Sequence, residues 1–221
     1  MSERKFAIIF DFDNTLVKSN INFPAMKISM ARMVREHGID LGKDEEIPTR
    51  YTAGNIIDEV AKYDAENNTN LTQGLWTVVE NFERLGMEDI SVDDEVFSML
   101  KWFHENNFSL SILTNNSRAP TLEVLKRFQL DDYFDLIVAR EDILKMKPDK
   151  EGIELIIQKL FLESDNVVFV GDSWVDGMAA KNASIRFILF NKDALDSNRY
   201  NINIWKHITS MDELIELMKM S

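Results

Sequence analysis

The chain has 221 residues, a formal net charge of −13 and no cysteine. The lack of cysteine excludes disulfides, thiolate catalysis and cysteine-ligated zinc. The acidic balance, with no basic stripe, excludes nucleic acid as a polyanionic partner. A hydrophobic content of 45% is that of a globular protein with a sizeable core, in one domain or two. No stretch approaches the ~20 apolar residues of a membrane span. The apolar run before Asp11 is also shorter than the ~7–15 residues of a signal-peptide core. A soluble, cytoplasmic protein without a membrane partner is the resulting expectation.

The first predicted element is a strand over residues 5–12, whose apolar run 6–10 is too short for an ordinary helix and is bounded by polar residues. It runs into Asp11-Phe12-Asp13-Asn14-Thr15-Leu16. A period of two starts Asp11 and Asp13 on one side, at the strand end where open α/β sheets place their ligands. Two carboxylates this close need a cation or a shared proton. A hard, oxygen-liganded ion such as Mg²⁺ meets that need. An Asp-rich turn that caps a helix is the alternative reading of the same residues. Asn14 tolerates a left-handed turn better than most residues.

The next segment reads as helical. Met26, Met30, Met33 and Val34 form one apolar stripe, Ile56, Ile57, Val60 and Ala61 a second, and Leu75, Val78, Val79 and Phe82 a third. Asp44-Glu45-Glu46 reads as a solvated loop. Arg50, Tyr51 and Asn55, beside Gly54 in a loop-like stretch, are candidate substrate contacts, although Arg50 also reads as a plain exposed charge. A βαβ crossover needs one helix, so three make this an insertion.

From residue 93 onward, strands over 108–113, 135–139, 166–170 and 185–190 alternate with helices over 93–106, 118–128, 150–162, 175–182 and 211–220. The alternation calls for an α/β, doubly wound parallel sheet. The strand ends carry polar residues of a recurrent kind. The first of these strands ends in Thr114-Asn115-Asn116-Ser117, which also suits a helix cap. Lys147-Pro148 follows the second. The third runs into Gly171-Asp172-Ser173, also compatible with a tight turn, and then Asp176-Gly177. Trp174 reads as packing or a loop lid. His37, His104 and His207 are isolated and form no metal pattern.

A carboxylate pair, a Thr, a Lys-Pro and a Gly-Asp-Ser-x-x-Asp stretch, in that order, resemble the haloacid dehalogenase superfamily of phosphotransferases. By insert position and motif spelling the chain is most similar to the phosphoglycolate phosphatase branch. The resemblance implies a Rossmann-like core of residues 1–17 and 92–221, with residues 18–91 a helical cap inserted after the first strand. It implies a Mg²⁺-dependent phosphatase that hydrolyses a small phosphorylated metabolite through an aspartyl-phosphate. Asp11 is then the nucleophile and Asp13 the general acid and base, the latter ligating metal through its backbone carbonyl. Thr114, Asn115 and Lys147 hold the phosphoryl group, and Pro148 selects Lys147 over Lys145 as the matching lysine. Asp172 is a metal ligand, with Asp176 and Ser173 behind it. A sugar-phosphate phosphomutase shares these motifs, and a catalytically silent binding protein shares the fold.

The charges make sense of the pattern. Two unit charges about 4 Å apart interact by roughly 4 kcal/mol at an effective dielectric near 20. Four carboxylates against one lysine therefore repel a phosphate dianion unless a divalent cation offsets them.

Overall fold

The computed structural model describes residues 6–190 and 201–220; Lys5, the first residue of the expected opening strand, lies outside that range. The chain divides into two compact units, one running to Ser19 and resuming at Ile90, the other Asn20–Asp89. Strand β1 (Ala7–Phe10) is buried along its whole length. It is shorter than expected because the chain turns as soon as the carboxylates begin.

The Asn20–Asp89 unit holds α1 (Phe23–Arg35), α2 (Ile47–Arg50), α3 (Ala53–Asn67) and α4 (Leu71–Gly86). Its core joins Met26, Met30, Val34, Ile47, Ile56, Val60, Leu75 and Val79, so the three apolar stripes face one another. Within residues 50–55 only Tyr51 and Thr52 lie outside helices, so the expected loop is corrected at Arg50, Gly54 and Asn55. Arg50 ends α2, exposed, with its guanidinium 5.3 Å from the centre of the Tyr51 ring. Asn55 lies in the first turn of α3, where Thr52 and Asn55 exchange hydrogen bonds of 3.0 and 3.2 Å. That reciprocal cap satisfies two otherwise orphaned helix N–H groups. Asp64, near the end of α3, accepts from the N–H groups of Leu71 and Thr72, both at 2.9 Å, and so caps α4.

The other unit contains α5 (Asp94–Glu105), β2 (Ser109–Leu113), α6 (Arg118–Arg127), β3 (Leu136–Val138), α7 (Glu151–Lys159), β4 (Val167–Gly171), α8 (Trp174–Asn182), β5 (Arg186–Phe190), β6 (Ile204–Ile208) and α9 (Met211–Lys219). The strands form one parallel sheet in the order β3-β2-β1-β4-β5-β6. This is a doubly wound sheet of Rossmann type, and its order reverses between β1 and β4. Strand β6 was not expected. Lys206 and His207 are exposed on this edge strand, so it lacks the continuous apolar run that marks a buried one. Among the described residues, no helix is long and apolar enough to cross a membrane.

The chain has only 8 glycines, and its helix ends show the consequence. After α5, α6, α7 and α8 the turn residue is Asn107, Gln129, Phe161 or Ser184, with φ between 52° and 59°. In each case the next N–H reaches back to the helix, as Leu162 does to the Ile157 carbonyl at 3.0 Å. Glycine normally takes this left-handed position, and an L side chain there costs about 1–2 kcal/mol. Phe161 is 94% exposed, so its ring gains no packing in return. Phe161→Gly is therefore expected to stabilise the protein by about 0.5–1 kcal/mol after the glycine's greater unfolded-state freedom is subtracted. Urea denaturation checks this, and a destabilised variant would show that the ring has a role in the native state.

Candidate active site

Register brings the site together. Phe10 pairs with Ile112 on one side and Val170 on the other. Asp11 continues the ladder, its N–H reaching the Val170 carbonyl at 2.9 Å. The ends of β1 and β4 therefore deliver Asp11 and Asp172 as neighbours at the switch point, while β2 delivers Thr114. The chain then turns sharply. Asn14 takes φ 57° and its N–H meets the Val17 carbonyl at 2.7 Å, so Asp13 folds back over the sheet end instead of extending it.

One carboxylate oxygen from each of Asp11, Asp172 and Asp176 lies within 4.8 Å of the others. Lys147, buried, bridges two of these groups, with Nζ donating to Asp11 Oδ1 at 2.5 Å and Asp176 Oδ1 at 2.7 Å. Lys145 is exposed. Asp176 is held at its other oxygen by the Ser173 N–H at 3.1 Å and the Ser173 hydroxyl at 2.5 Å. Gly171 makes room for this arrangement, since a Cβ there would meet Asp176 Cβ at 2.6 Å. Trp174 opens α8 and is partly buried against the sheet core.

The electrostatics follow from crowding. Burial raises the Asp11 carboxyl well above its usual range, Asp176 adds to that, and Lys147 opposes it. Burial and Asp176 together push Asp172 up to about 7. Burial works against the Lys147 ammonium, but Asp11 and Asp176 outweigh it and leave it raised. Burial also raises Asp13, an effect partly offset by the nearby Ser19 hydroxyl and the Asn116 amide. One buried ammonium thus faces several carboxylates, a donor set of hard oxygens suited to a divalent cation.

The segment after β2 divides its work in a way the sequence did not suggest. Asn115 was expected on the phosphoryl group. Its amide instead clamps the Lys147 backbone, donating to the carbonyl at 3.0 Å and accepting from the N–H at 2.9 Å. Asn116, which sequence reasoning passed over, is buried and donates from Nδ2 to Asp13 Oδ2. Its own N–H donates to Thr114 Oγ1 at 3.1 Å. The signal available in sequence was a second amide directly beside the first, which a helix-cap reading absorbed. Arg50 belongs to the Asn20–Asp89 unit.

A parallel α/β sheet with acidic strand ends around one buried lysine defines a hydrolase of the haloacid dehalogenase type. The chain belongs to the haloacid dehalogenase-like hydrolase family, whose model matches residues 8–190. It is 35% identical over 91 residues to pyrophosphatase PpaX of Halalkalibacterium halodurans, an alignment covering 41% of this chain and 42% of that one. It is 25% identical over 217 residues to phosphoglycolate phosphatase of Cereibacter sphaeroides, covering 96% and 97% of the two chains. A haloacid dehalogenase-like family hydrolase from Streptococcus pneumoniae superposes with a TM-score of 0.65 at 14% identity, over 96% of this chain and 98% of that one.

Proposed function

We propose that this protein is a Mg²⁺-dependent phosphatase that hydrolyses a small phosphorylated metabolite through an aspartyl-phosphate on Asp11. The observation that carries the reading is the Asp11–Lys147–Asp176 bridge beside Asp172. Relatives bearing the names pyrophosphatase and phosphoglycolate phosphatase support a small phosphoryl substrate.

In this reading an Asp11 oxygen attacks phosphorus while the leaving-group oxygen departs with the P–O electron pair and takes a proton from Asp13. In the second half-reaction Asp13 removes a proton from the water that hydrolyses the acyl phosphate. Lys147 holds Asp11 in place and offsets its charge against the incoming dianion. The Thr114 oxygen already accepts from Asn116, which leaves its proton to donate to a phosphoryl oxygen. Asp11 and Asp172 side chains and the Asp13 carbonyl would hold the cation, with Asp176 kept in position by Lys147 and Ser173. Bound there, Mg²⁺ supplies positive charge that offsets the carboxylates and polarises a phosphoryl oxygen.

The test is a panel of small phosphorylated metabolites assayed with Mg²⁺ and with EDTA. Phosphate release that requires Mg²⁺ is expected; undiminished release in EDTA removes the metal from the mechanism, and no release from any compound removes the phosphatase reading. Because Asp172 holds its proton below about 7, Mg²⁺ must displace that proton in acid. Apparent Mg²⁺ affinity is expected to fall up to about tenfold per pH unit below that value, with proton release on binding visible by calorimetry in two buffers. A pH-independent affinity would show that the ion displaces no proton from Asp172 in this range. Gly171→Ala should displace Asp176 and weaken Mg²⁺ binding about 10–100-fold, measured in the same titration; an unchanged affinity would show that the position of Asp176 does not matter to the cation.

A further inference from the structure

We propose that Asn116 is a positioning residue that divides the Asp13 carboxyl into an anchored oxygen and a reactive one. The assignment rests on the phosphatase reading above and deepens it. Asn116 comes from the loop after β2, 103 residues from Asp13 in sequence, and both side chains are buried. Its Nδ2 holds Asp13 Oδ2, whereas the buried Asp13 Oδ1 makes no hydrogen bond among the described residues, with the Ser19 hydroxyl close to the same carboxyl. Unlike a surface amide, Asn116 is fixed at three points. Its N–H is bound to Thr114 Oγ1 at 3.1 Å, its carbonyl accepts from the Arg140 N–H at 3.0 Å, and its side chain meets Asp13.

The geometry has a chemical consequence. A carboxyl group can rotate about its Cβ–Cγ bond and present either oxygen. An amide N–H can only donate, so the oxygen it holds is kept as an acceptor and the proton is carried on the other. Asn116 therefore makes Oδ1 the atom that gives its proton to the leaving-group oxygen. The Oδ1–H bond breaks as the new O–H bond forms, and the carboxylate that results stays tethered at Oδ2. The same tether presents Oδ1 to the attacking water in the second half-reaction. Thr114 shares the loop, so the group that binds phosphate and the group that orients the acid move as one piece.

The assignment predicts a dependence on the leaving group. A leaving group of low basicity departs without much help from a proton, whereas a basic one needs it. With Mg²⁺ present, Asn116→Ala and the unaltered protein are compared on aryl phosphates from p-nitrophenyl to phenyl. The loss in kcat/KM, which reports only the step in which the leaving group departs, is expected to grow along the series, from about tenfold at the acidic end to about 100-fold or more at the basic end. On an Asp13→Asn background Asn116→Ala should add nothing further. Asn116→Ser, which keeps a small polar group too short to reach Asp13, should reproduce the slope if the alanine variant folds poorly. A loss equal on every ester, or one additive with Asp13→Asn, overturns the assignment while leaving the phosphatase reading intact. No turnover of any ester by the unaltered chain overturns both.

Discussion

Replacing Lys147 by methionine is expected to destabilise the protein by about 3–5 kcal/mol at pH 8 in EDTA, the usual consequence of removing one member of a buried ion pair. The Lys147 side chain is 3% exposed and its partners Asp11 and Asp176 are 10% and 1% exposed, so water cannot replace the ammonium. The sign of the pH dependence follows from the shifts. The folded Lys147 is raised above 10.5, so its contribution is fully present below that value and is lost only as pH rises through the raised one. Asp11 is raised above 3.8 even with the lysine in place. Without it the native state gains more from binding a proton there, and the stability gap between variant and parent shrinks as pH falls from 8 toward 5. Urea denaturation at several pH values measures this. A gap that stays constant with pH would mean that Asp11 and Asp176 do not depend on Lys147 for neutralisation.

Asp11→Asn should lower kcat by about a thousandfold or more, as loss of a nucleophile does, while leaving the fold at least as stable as the parent at pH 8. Both halves come from one fact. Burial and the charges of Asp176, Asp172 and Asp13 oppose ionisation of Asp11 more than Lys147 favours it. An amide of nearly the same shape relieves that repulsion but cannot attack phosphorus. A raised Tm with turnover gone is the expected pair of results. Substantial residual hydrolysis would show that the nucleophile lies elsewhere, and a collapsed Tm would show that the Asp11 charge is needed to fold around Lys147.

The alternation of short apolar runs with amphipathic segments made the parallel sheet legible, because strands buried on both faces are mostly apolar; β2, buried throughout, has only Ser109 and Ser111 as polar positions. It failed at β6, where Lys206 and His207 point to solvent. It also failed at residues 50–55, where α2 is a single turn and Thr52 caps α3 with Asn55 in its first turn. A short helix offers too few positions for a 3.6-residue period to show. The site was legible as an inventory. Asp11 and Asp172 directly follow apolar runs, Asp176 lies in the first turn of α8 and Lys147 in the segment between β3 and α7. They meet at the carboxyl ends of the central strands.

The chain's residues alone determined which chemistry is available: oxygen ligands, a lysine marked by the proline after it, no thiol and no histidine cluster. They also marked β1 as a buried parallel strand, since its run 6–10 is apolar throughout. Tertiary structure decided which neighbour each polar group meets. Asn115 and Asn116 are adjacent amides of the same kind, yet one holds the Lys147 backbone and the other holds Asp13. A hydrogen bond depends on the direction of a side chain to within a few tenths of an ångström and a few tens of degrees. That direction is set by the turn after β2 and by strands more than a hundred residues away, so no local pattern encodes it.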